Sequence, residues 1–248
     1  MRAINAIPHE LGDPAQAIPE PAADHDCEDG WLYTHAGATR CPTCQANTEA
    51  ARIASEIHAA GVGERYWTTS WTDLEMVDPL PSLQAAAASI SDILASGDHL
   101  LLSGKPGTGK TQAAVLLIRA AIEARRSAQL LNLGRAAMQI RAAYKTDDGP
   151  TESSVVRDAS RVNLLVIDDL GAGETGAATL EQRILYLVLE ERQNTRRSTV
   201  VTTNLTPQEV KDRLGQRLIG RLQPLAIMQF SHGRNFRRPS GKTSWESA

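Results

Sequence analysis

The hydrophobic pattern of the chain changes near residue 99, where short apolar runs begin to alternate with longer amphipathic segments. Short apolar runs bounded by turn residues are typical of buried parallel strands, and the segments between them have helical periodicity. The predicted strands are HLLLSG (99–104), AQLLNL (128–133), VNLLVIDD (162–169), STVVTTN (198–204) and LAIMQFS (225–231). The alternation predicts an α/β fold, a doubly wound parallel sheet of about five strands with its ligand site at the carboxyl ends of the strands.

Helical periodicity also precedes the first of these strands, so helices are expected on both sides of residue 99. The segment 46–61 has Ile53 and Ile57 on one face and ends at Gly61, a typical helix stop. The predicted helices cover 46–61, 81–97, 110–126, 134–144, 179–194, 206–214 and 215–222.

The segment GKPGTGKT (104–111) joins the first predicted strand to the helix that follows it. It fits the pattern G-x-x-x-x-G-K-[ST], in which glycines allow backbone N–H groups to curl around phosphate oxygens. Lys110 would reach the β- and γ-phosphates, and the Thr111 hydroxyl would bind Mg²⁺. The sequence therefore predicts a nucleotide site. Its residues are Gly104, Lys105, Pro106, Gly107, Thr108, Gly109, Lys110, Thr111, Gln112 and Asp168.

Two adjacent aspartates end the third predicted strand. Because the carboxyl ends of parallel strands meet at one edge of the sheet, Asp168 is expected beside the phosphate loop, where it would hold Mg²⁺ with Thr111. Asp169, the next residue, stands where a carboxylate that activates water is needed. The pair therefore predicts a site for nucleotide hydrolysis.

Further polar residues follow these motifs in a fixed order. Asn204 ends the strand VVTTN, Arg217 and Arg221 lie in GQRLIGRL, and GRNFRR (233–238) carries a last arginine cluster. Together with LLVIDDLG (164–171), this set resembles the AAA+ ATPases of the DnaC/DnaI/IstB group. That group includes bacterial and phage helicase loaders and transposition helpers.

The resemblance covers roughly residues 60–240 and implies an AAA+ fold without the C-terminal helical lid. It also implies roles for individual residues. Asn204 is similar to the polar sensor that orients the attacking water or senses the γ-phosphate. Arg221 resembles the finger that reaches the nucleotide of a neighbouring subunit, with Arg217 as the alternative. Arg237 resembles the second sensor, although two of its neighbours differ from the usual pattern.

The Asp168–Asp169 pair departs from the Asp–Glu pair usual in AAA+ motors. Aspartate is one methylene shorter, so the Asp169 carboxylate would lie roughly 1.5 Å further from the water. A misplacement of about 1 Å can lower a rate on the order of a hundredfold. We therefore expect slow ATP hydrolysis, which suits a switch that assembles with ATP. An arginine finger in trans implies that the assembly is a homo-oligomer.

All three cysteines lie within residues 24–45, a segment too small to bury a core of its own. Cys41 and Cys44 form a C-x-x-C knuckle whose spacing suits two thiolates on one Zn²⁺, and Cys27 is a credible third ligand. The alternative is three thiols without a metal. The spacing thus predicts a small zinc-binding-like module.

The fourth zinc ligand has two candidates. His25 is favoured because both ligand pairs would then be local, and His35 is the alternative. The segment CEDGW (27–31) resembles part of the cysteine module of DnaI-like loaders. Asp24 stands where the first cysteine of that module would fall, so the match is incomplete there.

Composition and charge complete the domain prediction. Residues 1–23 contain four prolines and are expected to form a flexible arm. The zinc-binding-like module and its helix follow over 24–61, the ATPase domain over 62–240 and a tail over 241–248. The formal charge of −3 gives no global sign of nucleic-acid binding, although the C-terminal part of the chain is basic. With no signal peptide and no membrane-spanning run, the sequence predicts a cytoplasmic protein.

The resemblance to this group implies a helicase loader, an ATPase that binds the hexameric replicative helicase and places it on single-stranded DNA. Binding to DNA would be non-specific and sensitive to salt. An IstB-like transposition helper with the same ATPase core is the first alternative, and a nucleotide-gated scaffold with little hydrolysis is the second. A small-molecule P-loop kinase is disfavoured, because such enzymes lack a trans arginine and this order of sensors.

Overall fold

A computed structural model describes residues 27–146, 148–171, 178–222 and 225–231 of the chain. The chain divides into two compact units between Thr68 and Thr69. The sequence places the boundary between residues 61 and 62, so the first unit extends a few residues further along the chain. The arm expected over 1–23 and the tail expected over 241–248 lie outside the described residues.

The first unit contains a β-hairpin followed by one long helix. Strands β1 (Trp31–Thr34) and β2 (Gly37–Arg40) pair in antiparallel orientation, and helix α1 (Pro42–Ala59) begins directly after Cys41. A short 3₁₀ helix follows at Glu64–Tyr66. The hairpin was not predicted from the sequence, because two four-residue strands are too short to show a clear periodicity.

Five strands form a parallel sheet in the second unit. They are β3 (His99–Gly104), β4 (Ala128–Asn132), β5 (Leu164–Leu170), β6 (Thr199–Thr203) and β7 (Leu225–Phe230). Their order across the sheet is β4-β5-β6-β3-β7, and all neighbouring strands are parallel. Each strand agrees with its predicted bounds to within two residues. The continuous apolar runs were good predictors because β5 and β6 are buried almost throughout.

The helices of the second unit fall into two groups. They are α2 (Leu80–Ala88), α3 (Ile90–Ser96), α4 (Lys110–Glu123), α5 (Leu133–Thr146), α6 (Glu152–Arg161), α7 (Ala178–Asn194) and α8 (Pro207–Arg221). Helices α2 and α3 contact α4, whereas α5, α6 and α8 contact α7. The doubly wound α/β fold predicted from the sequence is therefore confirmed. No helix within the described ranges has the length and hydrophobicity needed to cross a membrane.

Four helices, α2, α3, α6 and α8, differ from the prediction in number or continuity. The single helix predicted over 81–97 is two helices, because the backbone leaves the helical region at Ser89 (φ −108°, ψ 29°). Helix α6 was not predicted, although Thr151 caps it by accepting a hydrogen bond from the Ser154 N–H. Helix α8 spans two predicted helices, and Gly215 (φ 74°, ψ 163°) forms a kink at their junction.

A fully buried arginine on α7 fixes the amino ends of β5 and β6. The Arg192 guanidinium donates hydrogen bonds to Thr199 Oγ1 (3.0 Å) and to the carbonyl oxygens of Ala159 (2.9 Å), Val162 (2.9 Å), Asn163 (3.2 Å) and Ser198. Burial lowers the pKa of Arg192 to about 9, so it remains charged at neutral pH. Burial and the Arg192 charge lower the pKa of His99 to about 4, and its neutral Nδ1 accepts a hydrogen bond from the Thr199 N–H (3.2 Å).

Replacing this arginine should destabilise the second unit. We expect Arg192→Met to lower the free energy of unfolding by about 3 kcal/mol, because several buried carbonyl oxygens lose their donor. Urea unfolding followed by circular dichroism measures the change. The matched control is Arg157→Met, since Arg157 is 52% exposed in a surface ion pair with Asp158. That variant should stay within about 0.5 kcal/mol of wild type. Equal losses in both variants would contradict the role of Arg192.

Candidate functional site

The loop between β3 and α4 has the backbone geometry of a phosphate-binding loop. A Cβ on Gly104 would lie 2.6 Å from the carbonyl oxygen of Phe230 in β7, so only glycine allows this close approach. Gly109 (φ 91°) is the left-handed residue that begins α4. The start of a helix preceded by such a loop presents backbone N–H groups to an anion. The sequence prediction of a loop between strand and helix agrees with these positions.

Lys110 is the first residue of α4, and it is only 7% exposed. Its Nζ donates hydrogen bonds to the carbonyl oxygens of Gly104 (2.6 Å) and Lys105 (2.8 Å) and to Asn204 Oδ1 (3.0 Å). These contacts hold the ammonium group at the loop and tie it to the end of β6. A positive charge fixed beside backbone donors is suited to binding phosphate.

The other predicted loop residues surround this lysine. Thr108 is buried and donates a hydrogen bond to the Lys105 carbonyl oxygen (2.9 Å), while the side chains of Lys105 and Pro106 are exposed. Gln112 is half-buried on the first turn of α4. Because the side chains of Lys105 and Pro106 are exposed, we expect the loop to contact phosphate through its backbone N–H groups.

Thr111 and Asp168 meet at the carboxyl edge of the sheet, although they lie 57 residues apart. The Thr111 hydroxyl donates a hydrogen bond to Asp168 Oδ1 (3.0 Å). Hydroxyl and carboxylate oxygens are ligands that suit Mg²⁺. The structure thus brings together the two residues predicted to hold this ion, and their donor atoms fit it.

Asp169 follows at an exposed position with left-handed backbone (φ 57°). Asn204 Nδ2 donates a hydrogen bond to Asp169 Oδ1 (3.0 Å), while the Oδ1 of the same amide accepts one from Lys110. Asp169 also lines a cleft that is open to solvent. Water can therefore reach the carboxylate, and three predicted residues are joined by direct hydrogen bonds.

Thr202 is a polar residue of this edge that was not predicted from the sequence. Its hydroxyl donates a hydrogen bond to Asp168 Oδ1 (2.6 Å) and accepts one from the Asp169 N–H (2.9 Å). The residue is only 2% exposed. The available signal was one of three threonines in a buried strand, but threonine is common in strands and does not identify a site by itself.

The three cysteines of the first unit lie together. Cys27, Cys41 and Cys44 place their sulfur atoms within 4.8 Å of one another, and the sulfurs of Cys27 and Cys44 are 3.6 Å apart. Two sulfurs bound tetrahedrally to one zinc ion at a Zn–S distance of about 2.3 Å are separated by about 3.8 Å. The cluster therefore fits zinc and could supply three of the four ligands of a structural site.

The protonation of these thiols reflects their closeness. The interaction with Cys27, together with burial, raises the pKa of Cys44 to about 11, whereas a hydrogen bond from the Cys44 backbone lowers the pKa of Cys41. A cation would instead favour three thiolates at this distance. His35 lies exposed in the turn between β1 and β2 and is not part of the cluster. His25, the favoured fourth ligand, lies outside the described residues.

The phosphate loop and the polar residues at the carboxyl edge of the sheet fall within a segment that matches a known family. Residues 74–221 match the model of the IstB-like ATP binding proteins, which is more than half of the chain. The chain belongs to this family. The resemblance noted in the sequence is thereby confirmed, and the family's description implies that ATP is the nucleotide bound at the phosphate loop.

Two curated relatives and one solved structure extend this comparison. The uncharacterized protein YdaV of Escherichia coli K12 is 25% identical over 188 residues, covering 75% of this chain and 74% of YdaV. The replicative helicase loader DnaC of the same strain is 22% identical over 189 residues, covering 75% and 76%. A crystal structure of the DnaC helicase loader matches with a TM-score of 0.54 and 18% identity, covering 67% of this chain and 99% of the other. This likeness confirms the AAA+ P-loop fold.

Of the three arginines predicted for this IstB-like protein, only Arg221 has a side chain within the described residues. Arg221 ends α8, where its Nη2 donates hydrogen bonds to the Tyr186 hydroxyl (2.5 Å) and to Glu190 Oε1 (3.0 Å). Its guanidinium also lies 4.1 Å from the centre of the Tyr186 ring. Arg221 is therefore engaged with α7 of its own chain. The side chain of Arg217 and the whole of Arg237 lie outside the described residues.

Removal of the loop lysine should abolish tight nucleotide binding. We expect Lys110→Ala to raise the dissociation constant for ATP on the order of a hundredfold, because a buried ammonium contact with phosphate is lost. Titration calorimetry measures the constant. The control is Lys211→Ala, which removes the same charge from an exposed position on α8 and should leave the affinity for ATP unchanged. An unchanged affinity in the Lys110 variant would show that phosphate is bound elsewhere.

Proposed function

We propose that this protein is an ATP-dependent loader that binds a hexameric replicative helicase and places it on single-stranded DNA in the cytoplasm. The observation that carries the proposal is the similarity to the replicative helicase loader DnaC over three-quarters of each chain. The hydrogen-bonded group of Lys110, Asp169 and Asn204 supports the ATP-dependent step, because it joins a phosphate-binding lysine to a water-activating carboxylate.

Hydrolysis of ATP is proposed to act as a slow switch. Thr111 and Asp168 would hold Mg²⁺, which supplies positive charge to the phosphates when bound. Asp169 accepts a proton from the attacking water, and Asn204 orients that water. Because Asp169 is shorter than glutamate, we expect slow turnover that increases when the helicase or DNA binds. Loss of ATP then releases the partner.

Self-assembly is proposed to complete each ATP site. Arg221, or Arg217 on the same helix, reaches the ATP of a neighbouring subunit, and Arg237 contacts ATP in its own subunit. Arg221 must first exchange its contacts with Tyr186 and Glu190. Its ion pair is weak, because the Glu190 side chain is 42% exposed, and such surface pairs contribute about 0–1 kcal/mol. The more highly charged phosphates compete well with a single carboxylate.

The first unit is proposed to bind the helicase. Zinc held by Cys27, Cys41, Cys44 and His25 would fix the hairpin to the start of α1, since a segment of this size has too little apolar surface to fold alone. On the hairpin, Tyr33 is 67% exposed, and Glu28 and Asp29, which precede β1, are also exposed. Exposed aromatic and acidic side chains suit a protein partner better than DNA.

A related function has a specific observation in its favour. The family that the chain belongs to is described as IstB-like, so an ATPase that assists transposition is the second candidate. Both functions use the same ATP site and both need DNA contacts, for which the basic segment 211–248 supplies charge. The two differ in the protein partner, and a nucleotide-gated scaffold differs from both in its lack of turnover.

The partner is tested by mixing the protein with the replicative helicase of its host. Native mass spectrometry with ATP, with ADP and after zinc chelation should show a complex with the hexamer that forms with ATP and is lost on chelation. The Cys41→Ser variant should bind less zinc and lose the complex, while Ser89→Ala, between α2 and α3, serves as the control. ATP-driven assembly on DNA without affinity for the helicase would favour the transposition helper.

Turnover is tested separately with Asp169→Asn. The amide still accepts a hydrogen bond from Asn204 but cannot take a proton from water. We expect the rate of ATP hydrolysis to fall by about a hundredfold or more, with the affinity for ATP unchanged within about twofold. Asp92→Asn, on the exposed side of α3, should have no effect on either quantity. Equal and measurable turnover in both proteins would show that Asp169 is not the base, whereas no turnover above background in wild type would favour the scaffold.

A further inference from the structure

The adjacent aspartates of β5 pose a geometric problem. In a regular strand, successive side chains point to opposite faces of the sheet, so Asp168 and Asp169 should not act at one site. Yet Asp168 accepts a hydrogen bond from Thr111 of α4, and Asp169 accepts one from Asn204, which also contacts Lys110 of α4. The backbone must therefore depart from a regular strand here.

A β-bulge supplies that departure. Ile167 pairs with Val201 and Leu170 pairs with Thr203, so two residues of β5 stand opposite the single residue Thr202. Asp169 adopts a left-handed backbone conformation (φ 57°), which is uncommon for residues other than glycine. The bulge turns the second carboxylate toward the elements that contact the first.

Thr202 is the residue that spans the bulge. Its hydroxyl has a single proton, which it donates to Asp168 Oδ1 (2.6 Å), so the same oxygen acts as acceptor for the Asp169 N–H (2.9 Å). The two bonds fix both the rotation of the hydroxyl and the backbone between the aspartates. Both hydroxyl donors to Asp168 use Oδ1. No described residue donates a hydrogen bond to Asp168 Oδ2, so this oxygen could bind a cation.

We propose that Thr202 is a positioning residue that holds Asp168 and Asp169 in one site by bonding to both across the bulge. The inference rests on the proposed ATPase function. It assigns to Thr202 no contact with nucleotide or metal; the residue acts through the two aspartates. The opposing explanation is that this buried hydroxyl only satisfies its own hydrogen-bonding needs and contributes to stability alone.

Three variants separate these explanations. Thr202→Val keeps the branched shape of the side chain and removes the hydroxyl, whereas Thr202→Ser keeps the hydroxyl. Thr199→Val is the matched control, because Thr199 lies on the same strand, is fully buried and bonds through its hydroxyl to Arg192 instead of to a carboxylate. All three are compared with wild type in full-length protein.

The first readout needs no hydrolysis. In the presence of EDTA, amide hydrogen exchange in the peptide containing Asp169 should quicken about tenfold or more in Thr202→Val, because the N–H loses its acceptor. The Mg²⁺ concentration at half-maximal stimulation of ATP binding should rise about tenfold, while the affinity for ATP in EDTA stays within about twofold. Thr202→Ser should remain near wild type in each measurement.

The second readout is the rate of ATP hydrolysis. The maximal rate should fall about tenfold or more in Thr202→Val and recover in Thr202→Ser, whereas Thr199→Val should lose stability without a change in Mg²⁺ requirement. If Thr202→Val lowers stability but leaves the exchange at Asp169 and the Mg²⁺ requirement as in Thr199→Val, the proposal is wrong. If Thr202→Val does not fold, Thr202→Cys gives the same comparison, because its thiol is a weaker donor and acceptor.

The failure of the proposed function has a different signature. A wild-type protein that binds ATP without hydrolysing it would overturn the ATPase proposal. In that protein, the exchange at Asp169 and the Mg²⁺ dependence of ATP binding still decide the role of Thr202.

Discussion

Hydrogen bonds at the carboxyl edge of the sheet form a closed path, and the proposed function depends on it. The path runs through Lys110, Asn204, Asp169, Thr202, Asp168 and Thr111, and its two ends are neighbours on α4. Its members belong to α4, β5, β6 and the residue that follows β6. A shift of β5 against β6 by one residue would break several of these bonds together. The register of two strands therefore decides whether an ATP site exists.

That register is fixed at both ends of β6 by buried polar groups. At the amino end, the Arg192 guanidinium binds Thr199 and the carbonyl oxygens that begin β5 and β6. At the carboxyl end, Thr202 bonds to both aspartates, and Val200 and Val201 between them are buried. Apolar contacts alone tolerate small displacements, whereas a buried donor left without its acceptor costs about 1–3 kcal/mol. Arg192 thus supports the site although it lies at the opposite end of the strand.

The sequence was sufficient for the parts of the molecule that depend on local pattern. Long apolar runs predict all five strands, and the spacing from Gly104 to Thr111 predicts the phosphate loop. The bulge at Asp168 and Asp169 and the role of Thr202 were not predictable, because they depend on which residues of β5 and β6 stand opposite each other. The partners of Arg221 were not predictable either, because they depend on how α8 packs against α7. The hairpin was missed because its four-residue strands show no clear periodicity. Helix α6 was overlooked although its buried Val155 and Ala159 have helical spacing and Thr151 gives a capping signal.

The bulge also affects where the short Asp169 side chain places its carboxylate. The expectation of slow hydrolysis compares Asp169 with glutamate by side-chain length alone. In the structure, the left-handed backbone and the hydrogen bond from Asn204 determine where that carboxylate lies. The same Asn204 amide accepts a hydrogen bond from Lys110, so a phosphate that draws Lys110 away also changes the contacts of the amide that holds Asp169. In the proposed function, phosphate binding and the position of the Asp169 carboxylate would be coupled through the Asn204 side chain, an arrangement suited to a switch that responds to the nucleotide.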